Sequence, residues 1–190
     1  IEPLEMDGLY RPAGAIGGCY YDFILLTKHS MAMVVADMGD NDISASLEMV
    51  ALRTWLRMAL GKGKFDFDEF AVNMNREVFC RSKKTRQNAS LAISVIGSGQ
   101  EVNYKAMVFG TIRLAHFNRA QESVNKLSTS GNILGLGNLK EFRNSLNIHS
   151  GRLVSGDQLL CWTEGLEKLH DKNQKQIGQD YLADQVIHQQ

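Results

Sequence analysis

Closely spaced carboxylates are the first feature of this chain that could do chemistry. Asp37, Asp40 and Asp42 sit in one short stretch, with Glu48 beyond them and Asp22 and Glu164 elsewhere in the chain. Oxygen ligands of this kind suit hard cations such as Mg²⁺, Mn²⁺ or Ca²⁺. The stretch has a faint calcium-loop look, but the glycine that an EF-hand needs at its sixth position is Asp42 here, which argues against one. Taken locally, Asp37 reads as a turn or capping residue between a strand and a helix. Asp40 and Asp42 read as a solvated turn whose charges the next helix N-terminus favours, and Glu164 as a surface acid in a tight turn. Sulfur offers less. Cys19, Cys80 and Cys161 are odd in number and widely spread, with no Cys-x-x-Cys pair. A zinc site or disulfide framework is therefore not expected. Cys19 has no adjacent histidine or basic residue in sequence to activate it, so a packed thiol is expected there.

The elements that must position these groups follow from the apolar pattern. Residues 18–27 are rich in aromatic and β-branched types after a glycine pair, and 30–36 form a second apolar run. With only Lys28 and His29 between them, the two predict a hairpin that leaves Asp37 at the end of its second strand. Residues 44–60 predict a helix with an apolar stripe of Leu47, Val50, Ala51, Trp55, Met58 and Ala59, capped by Asp42 or Ser44 and ended by Gly61. A Gly-Lys-Gly-Lys turn follows. Asp66 with Glu69 resembles a capping box, and Phe70, Met74 and Val78 mark the face of a second helix. Strands are expected over 89–96, 102–108, 111–117, 123–128 and 158–163, with alternation over 143–148, a glycine-rich segment at 131–137 and a last helix over 179–188. Helices in the middle with many antiparallel strands imply an α+β domain, not a βαβ repeat.

Composition sets the frame. The 190 residues are enough for one domain with a real core, with 44% hydrophobic and 22% charged residues. Lys plus Arg equals Asp plus Glu at 21 each. That balance gives no electrostatic argument for nucleic acid or an anionic membrane. Apolar runs are far shorter than the roughly 18 residues of a membrane span. The cysteine usage fits a reducing, cytoplasmic setting. The chain opens at Ile1 with no signal-like segment, which gives the expectation of a single domain, 1–190, excised from a longer regulatory protein.

Several segments together resemble a known family. Tyr10-Arg11-Pro12-Ala13 followed by Gly17-Gly18-Cys19-Tyr20-Tyr21-Asp22-Phe23 looks like the opening of SpoIIE/RsbU-type phosphatase domains, usually Tyr-x-Pro-Ala…Gly-Gly-Asp-x-Tyr-Asp. Ala36-Asp37-Met38 with Ala45-Ser46-Leu47 and Met49 is similar to the family's Asp-Val-x-Gly-x-Gly-x-x-Ala-Ala segment. Gly131 to Leu136 resembles its Gly-x-Pro-Leu-Gly segment. Ser155-Gly156-Asp157 through Thr163-Glu164-Gly165-Leu166-Glu167 looks like its late Pro-Gly-Asp…Thr-Asp-Gly-x-x-Glu block, and Ile177-Gly178-Gln179 matches the step after it. Each motif is weak alone; their shared order over nearly the whole chain is specific.

The resemblance implies a four-layer αββα sandwich, two antiparallel sheets flanked by helices, of the metal-dependent type 2C phosphatase kind. It implies Mg²⁺ or Mn²⁺, and phosphoserine or phosphothreonine on a protein as substrate. The implied setting is bacterial partner switching with a STAS or anti-anti-sigma-like, response-regulator or sigma-related partner. By the same resemblance Asp37 is the bridging metal ligand, with the backbone carbonyl of Met38 beside it. Cys19 stands where the family has aspartate, and a thiol is a poor ligand for these cations. Asp22 is a possible substitute, although three residues along a regular strand it points to the opposite face. Glu164 stands where the family has aspartate and reaches about 1.5 Å further. Asp40 and Asp42 replace two loop glycines. The final strand, with its Asp-Asp-x-Thr-type ligand, is not visible before Gln190, so the C-terminal part is expected to be missing. Arg11 and Arg57 lie near motif segments and are candidates for phosphate contact, with solvated arginines the commoner outcome. The reading that results is a domain with impaired or lost hydrolysis and a protein-binding role, against an active Mn/Mg-dependent phosphatase. A homodimer is a third possibility, with Trp55 or Phe79 at its face.

Overall fold

The computed structural model describes residues 4–12, 14, 16–40, 42–61, 65–85, 88–127, 132–135, 138–174, 176–178 and 185. Strand β1 (Cys19–Thr27) turns through Lys28 and His29 into β2 (Ser30–Asp37), as the apolar runs predict. Helices α1 (Ile43–Leu60) and α2 (Phe67–Thr85) follow. Then come β3 (Ser90–Gly97), β4 (Val102–Phe109), β5 (Arg113–Asn118) and β6 (Ser123–Leu127). Helix α3 (Leu139–Asn144), β7 (His149–Leu153), β8 (Gln158–Trp162) and the single-turn α4 (Glu164–Glu167) complete the described elements.

All pairings between these strands are antiparallel. One sheet has the order β1-β2-β3-β4-β7, the other β6-β5-β8. Alternation along the strands divides the core in two. Ala32, Val34 and Ala36 of β2, with Leu91, Ile93, Met107 and Phe109, face α1, α2 and Phe142 of α3. Met31, Ala92, Ile96, Tyr104, Ala106 and Val108 face the other way, against Leu114 of the smaller sheet. The layers are therefore helices, large sheet and small sheet, an α+β sandwich with two antiparallel sheets as expected. A helix predicted over 179–188 falls almost wholly outside the described residues, as do Gly131, Leu136 and Gly137 of the glycine-rich segment.

Two sequence expectations need correction. The buried face of α1 is Ala45, Met49, Leu52, Leu56 and Leu60, whereas Leu47, Val50 and Met58 are exposed. The helix carries two apolar stripes, and periodicity alone does not say which one meets the sheet. The alternation over 143–148 is not a strand. Asn138 caps α3 by accepting the Lys140 N–H at 2.8 Å, and Phe142 stacks on Phe109 at 5.7 Å, so the chain stays helical to Asn144 and β7 starts only at His149. The capping of α2 holds: Asp66 accepts the Glu69 N–H at 2.8 Å.

Candidate functional site

The hairpin register creates the site. Cys19 and Asp37 are directly opposed at the open end of β1 and β2. Both have the parity of Phe23, Met33 and Val35, which pack between the sheets, so both project from the inter-sheet face at the rim of the sandwich. Thr163 arrives from the other sheet, just past β8, near enough to Cys19 for its hydroxyl to bear on the thiol's ionisation. Tyr10 comes from the N-terminal segment, packed over Gly17, where a Cβ would lie 2.1 Å from the Tyr10 hydroxyl.

Backbone contacts fix the loop that carries Asp37. The Met38 N–H donates to the Gly18 carbonyl at 3.1 Å, and the Ser46 hydroxyl to the Gly17 carbonyl at 3.1 Å. Asp37 Oδ1 accepts the Gly39 N–H at 2.8 Å, and Gly39 has φ +78°, a conformation glycine adopts without steric cost. Gly18 has no room for a side chain: a Cβ there would sit 2.4 Å from the Asp40 carbonyl oxygen.

The electrostatics favour neutral neighbours around one carboxylate. Burial, then the charge and hydrogen bond of Asp37, push the Cys19 thiol up to about 12, the Thr163 hydroxyl opposing weakly. The thiol is protonated at neutral pH and is neither an anionic ligand nor an activated nucleophile. Burial, with Cys19 and Asp37 nearby, also raises the Tyr10 phenol.

Among the described residues, the other predicted carboxylates do not complete a metal-holding group with Cys19 and Asp37. Asp22 lies on the helix-facing side of β1, with Tyr20 and Ile24. It accepts Arg57 Nε at 2.7 Å and Nη2 at 2.6 Å, the Phe23 N–H at 2.9 Å and the Tyr20 hydroxyl. Strand parity turns Asp22 away from Asp37, and Arg57 holds it. Arg57 is committed to that pair, and Arg11 is exposed. Asp42 caps α1, Oδ1 accepting the Ala45 N–H at 2.7 Å. Asp40 is exposed. Met38 is buried, with 6% of its surface exposed. Glu164 opens α4 beside Thr163, and its carboxylate pairs with Lys168 at 3.2 Å. Trp55 packs on Phe70 with ring centroids 5.8 Å apart, and Phe79 is half-buried.

Two contributors escaped sequence reasoning. Tyr10 and Thr163 both lie in quoted motif segments, but neither is a carboxylate, and only the tertiary fold brings them to Cys19. A third group supports the site from behind. Glu167, 6% exposed, accepts Arg113 Nε at 3.0 Å and Trp162 Nε1 at 3.1 Å, tying α4 to β5 and β8.

Among the described residues, no group of three or more His, Cys, Asp or Glu side chains is arranged to hold a metal ion. Mg²⁺ needs near-octahedral oxygen donors. One aspartate beside a protonated thiol, a phenol and a hydroxyl does not fit a pair of hard cations.

The chain's relatives agree with this architecture. Residues 27–190 match the family described as Stage II sporulation protein E (SpoIIE), so the chain belongs to that family. No curated protein matches it by sequence. Among solved structures, the SiaA-PP2C domain of Pseudomonas aeruginosa superposes with a TM-score of 0.77 at 15% identity, over 94% of this chain and 69% of that one. The RsbU and RsbW domains of a Mycobacterium tuberculosis protein give a TM-score of 0.67 at 22% identity, over 83% of this chain and 42% of that one, so this chain spans less than half of that relative. RsbX in complex with magnesium gives 0.64 at 14% identity, over 94% and 82%. The fold is that of the PP2C-type phosphatases. No helix among the described residues is long and apolar enough to cross a membrane.

Proposed function

We propose that this is a SpoIIE-family signalling domain whose metal-dependent phosphoserine and phosphothreonine hydrolysis is impaired or lost, and which acts by binding a protein partner. One observation carries the reading: the residue directly across from Asp37 is Cys19. A neutral, soft thiol occupies the position from which a second hard oxygen donor would have to come. Asp22 offers no replacement, and the Glu164 carboxylate engages Lys168. The RsbU and RsbW domains of the mycobacterial relative, joined in one protein, favour a signalling partner of the STAS or anti-anti-sigma-like kind or another switching protein.

The second reading is an active Mn²⁺- or Mg²⁺-dependent serine/threonine protein phosphatase. It is favoured by the position of Asp37, held at the strand end with the Met38 backbone beside it. Calorimetric titration of each cation into the chain, with Asp37→Asn as control, decides between them. Absence of binding heat in both proteins is expected. Micromolar to low-millimolar binding that vanishes in Asp37→Asn would overturn the proposal and restore the enzyme, to be followed by phosphoserine-protein assays.

A further inference from the structure

The end of the large sheet away from Asp37 carries a groove that the site above does not use. It opens where β2 begins, at Ser30, and Asp37 stands at the other end of that strand, roughly 23 Å away. Two rungs of the sheet form its floor. Val95, Lys105 and Ser150 align across β3, β4 and β7, and Ser30, Gly97 and Asn103 align across β2, β3 and β4. By strand parity both rungs share the face of Ile93 and Met107, which pack toward the helices. The last residue of α1, Leu60, and the start of α2 overhang this floor. Ser30, Gly97 and Ser150 are too small to fill the space beneath, so a groove of about 770 Å³ remains. That volume is in the range of small-molecule sites.

The groove is uneven in chemistry. Leu26 of β1, Val95 of β3 and the Phe65 ring give it apolar walls, all three half-buried against the core. Phe65 is held edge-on to Phe67, with ring centroids 4.7 Å apart. At β4 and β7 the floor turns polar, with Asn103, Lys105 and Ser150 exposed. Lys105 forms no ion pair or hydrogen bond among the described residues. The acids on the α2 side do not neutralise it: Asp66 caps α2 by accepting the Glu69 N–H, and Asp68 lies in the first turn of that helix. An unpaired ammonium at one end of an apolar groove complements a ligand with an anionic head and an apolar body. We propose that the groove binds a small amphipathic carboxylate, a medium-chain or aryl-alkyl acid. Its carboxylate sits on Lys105, with the Ser150 hydroxyl and the Asn103 amide as donors, and its apolar body crosses β3 toward Leu26 beneath Phe65. A single ammonium beside neutral donors balances one negative charge, which suits a carboxylate better than a phosphate dianion.

Titration of octanoate and of octan-1-ol into the ¹⁵N-labelled chain, followed by amide chemical shifts at neutral pH, tests this. Octanoate is expected to shift the amides of Val95, Asn103 and Ser150 saturably and to bind more tightly than the alcohol. Lys105→Met keeps the length of the side chain and removes its charge. It should weaken octanoate roughly three- to tenfold and leave octan-1-ol unchanged. Gly97→Leu fills the groove and should abolish binding of both probes while the circular dichroism spectrum stays native. The backbone accepts that change, because a Cβ at Gly97 would lie 3.9 Å from the His29 carbonyl oxygen and 4.0 Å from that of Asn103. No saturable shift with millimolar octanoate overturns the proposal. So does a Lys105→Met variant that binds octanoate as the native chain does, or that weakens both probes equally, because the carboxylate then does not rest on the ammonium. Binding that survives Gly97→Leu lies elsewhere on the molecule and also overturns it. None of these readouts depends on metal binding or hydrolysis.

Discussion

Replacing Cys19 by aspartate tests the geometry of the site through stability alone. Residue 19 and Asp37 are cross-strand partners on one face, so two carboxylates there lie about 5 Å apart. At an effective dielectric constant near 20 their repulsion is about 3 kcal/mol. Cys19 and Asp37 are both only part-buried, and solvent screening reduces this to about 1–2 kcal/mol. For a chain of this size that lowers Tm by roughly 2–8 °C in EDTA. Cys19→Asn, of similar size and uncharged, separates charge from shape and should lose less. The sign with pH is definite. Repulsion raises the folded-state pKa of the new pair, so the penalty is present at neutral pH and fades as acidification protonates one member. A divalent cation acts in the opposite sense: Mn²⁺ at about a hundred times its dissociation constant would return about 2.7 kcal/mol. Differential scanning calorimetry with EDTA or Mn²⁺ at two pH values reads all of this. If Cys19→Asp melts like Cys19→Asn in EDTA and ignores Mn²⁺, the two positions do not face each other and the argument from Cys19 fails.

Three further perturbations probe what surrounds the site. Glu167→Ala strands Arg113 and the Trp162 N–H; the side chain of Arg113 is 29% exposed and can rehydrate, so the loss is about 2–3 kcal/mol rather than the larger cost of a fully buried pair. A urea midpoint unchanged from native would refute that coupling. Gly18→Ala drives a methyl into the Asp40 carbonyl and should cost about 1–3 kcal/mol, with faster amide exchange at Met38 as its N–H loses the Gly18 carbonyl; native-like protection there would count against it. For Asp157, burial acts upward, but the N–H groups of Arg119 and Val154 and the His116 ring outweigh it, so its pKa is lowered from 3.8. Its contribution is complete above that ordinary value and is lost as pH falls through the lowered one, so Asp157→Asn should be less stable at neutral pH and converge toward native as acidification protonates the carboxylate. Parallel urea midpoints across that range would show that the carboxylate adds nothing.

What the sequence revealed, and what it concealed, follows from the range of the interactions. The β1–β2 hairpin and the cap of α2 rest on contacts a few residues apart, and local pattern is enough to find them. Helix α1 was found for the same reason, but its orientation depends on which stripe best fits the sheet. Leu52 and Leu56 win that competition over Leu47 and Val50, a tertiary result invisible in the periodicity. Helix α3 was missed because its cap, Asn138, is a faint signal and its anchor, the stacking of Phe142 on Phe109, is tertiary, while the alternating 143–148 stretch at its end imitates a strand. At the site, Asp37 was legible from its place at a strand end. Tyr10 and Thr163 were not, because their proximity to Cys19 depends on closing the sandwich.

The fold and the site are specified by different residues, and the reason is physical. Register in the hairpin is set by residues such as Phe23, Met33 and Val35, whose burial would reverse on a one-residue slip. Position 19 lies at the last rung of that ladder, at the rim, where a thiol in place of a carboxylate removes a charge without opening a cavity. The substitution leaves the packing that specifies the fold intact and relieves the repulsion that two uncompensated carboxylates would impose. Under the proposed function, a cation ligand lost at this position would therefore not destabilise the free protein; its loss would be favourable unless a metal were present to repay the repulsion. On that reading a kept fold does not by itself imply kept hydrolysis, and the Cys19→Asp variant tests how much rests on residue 19.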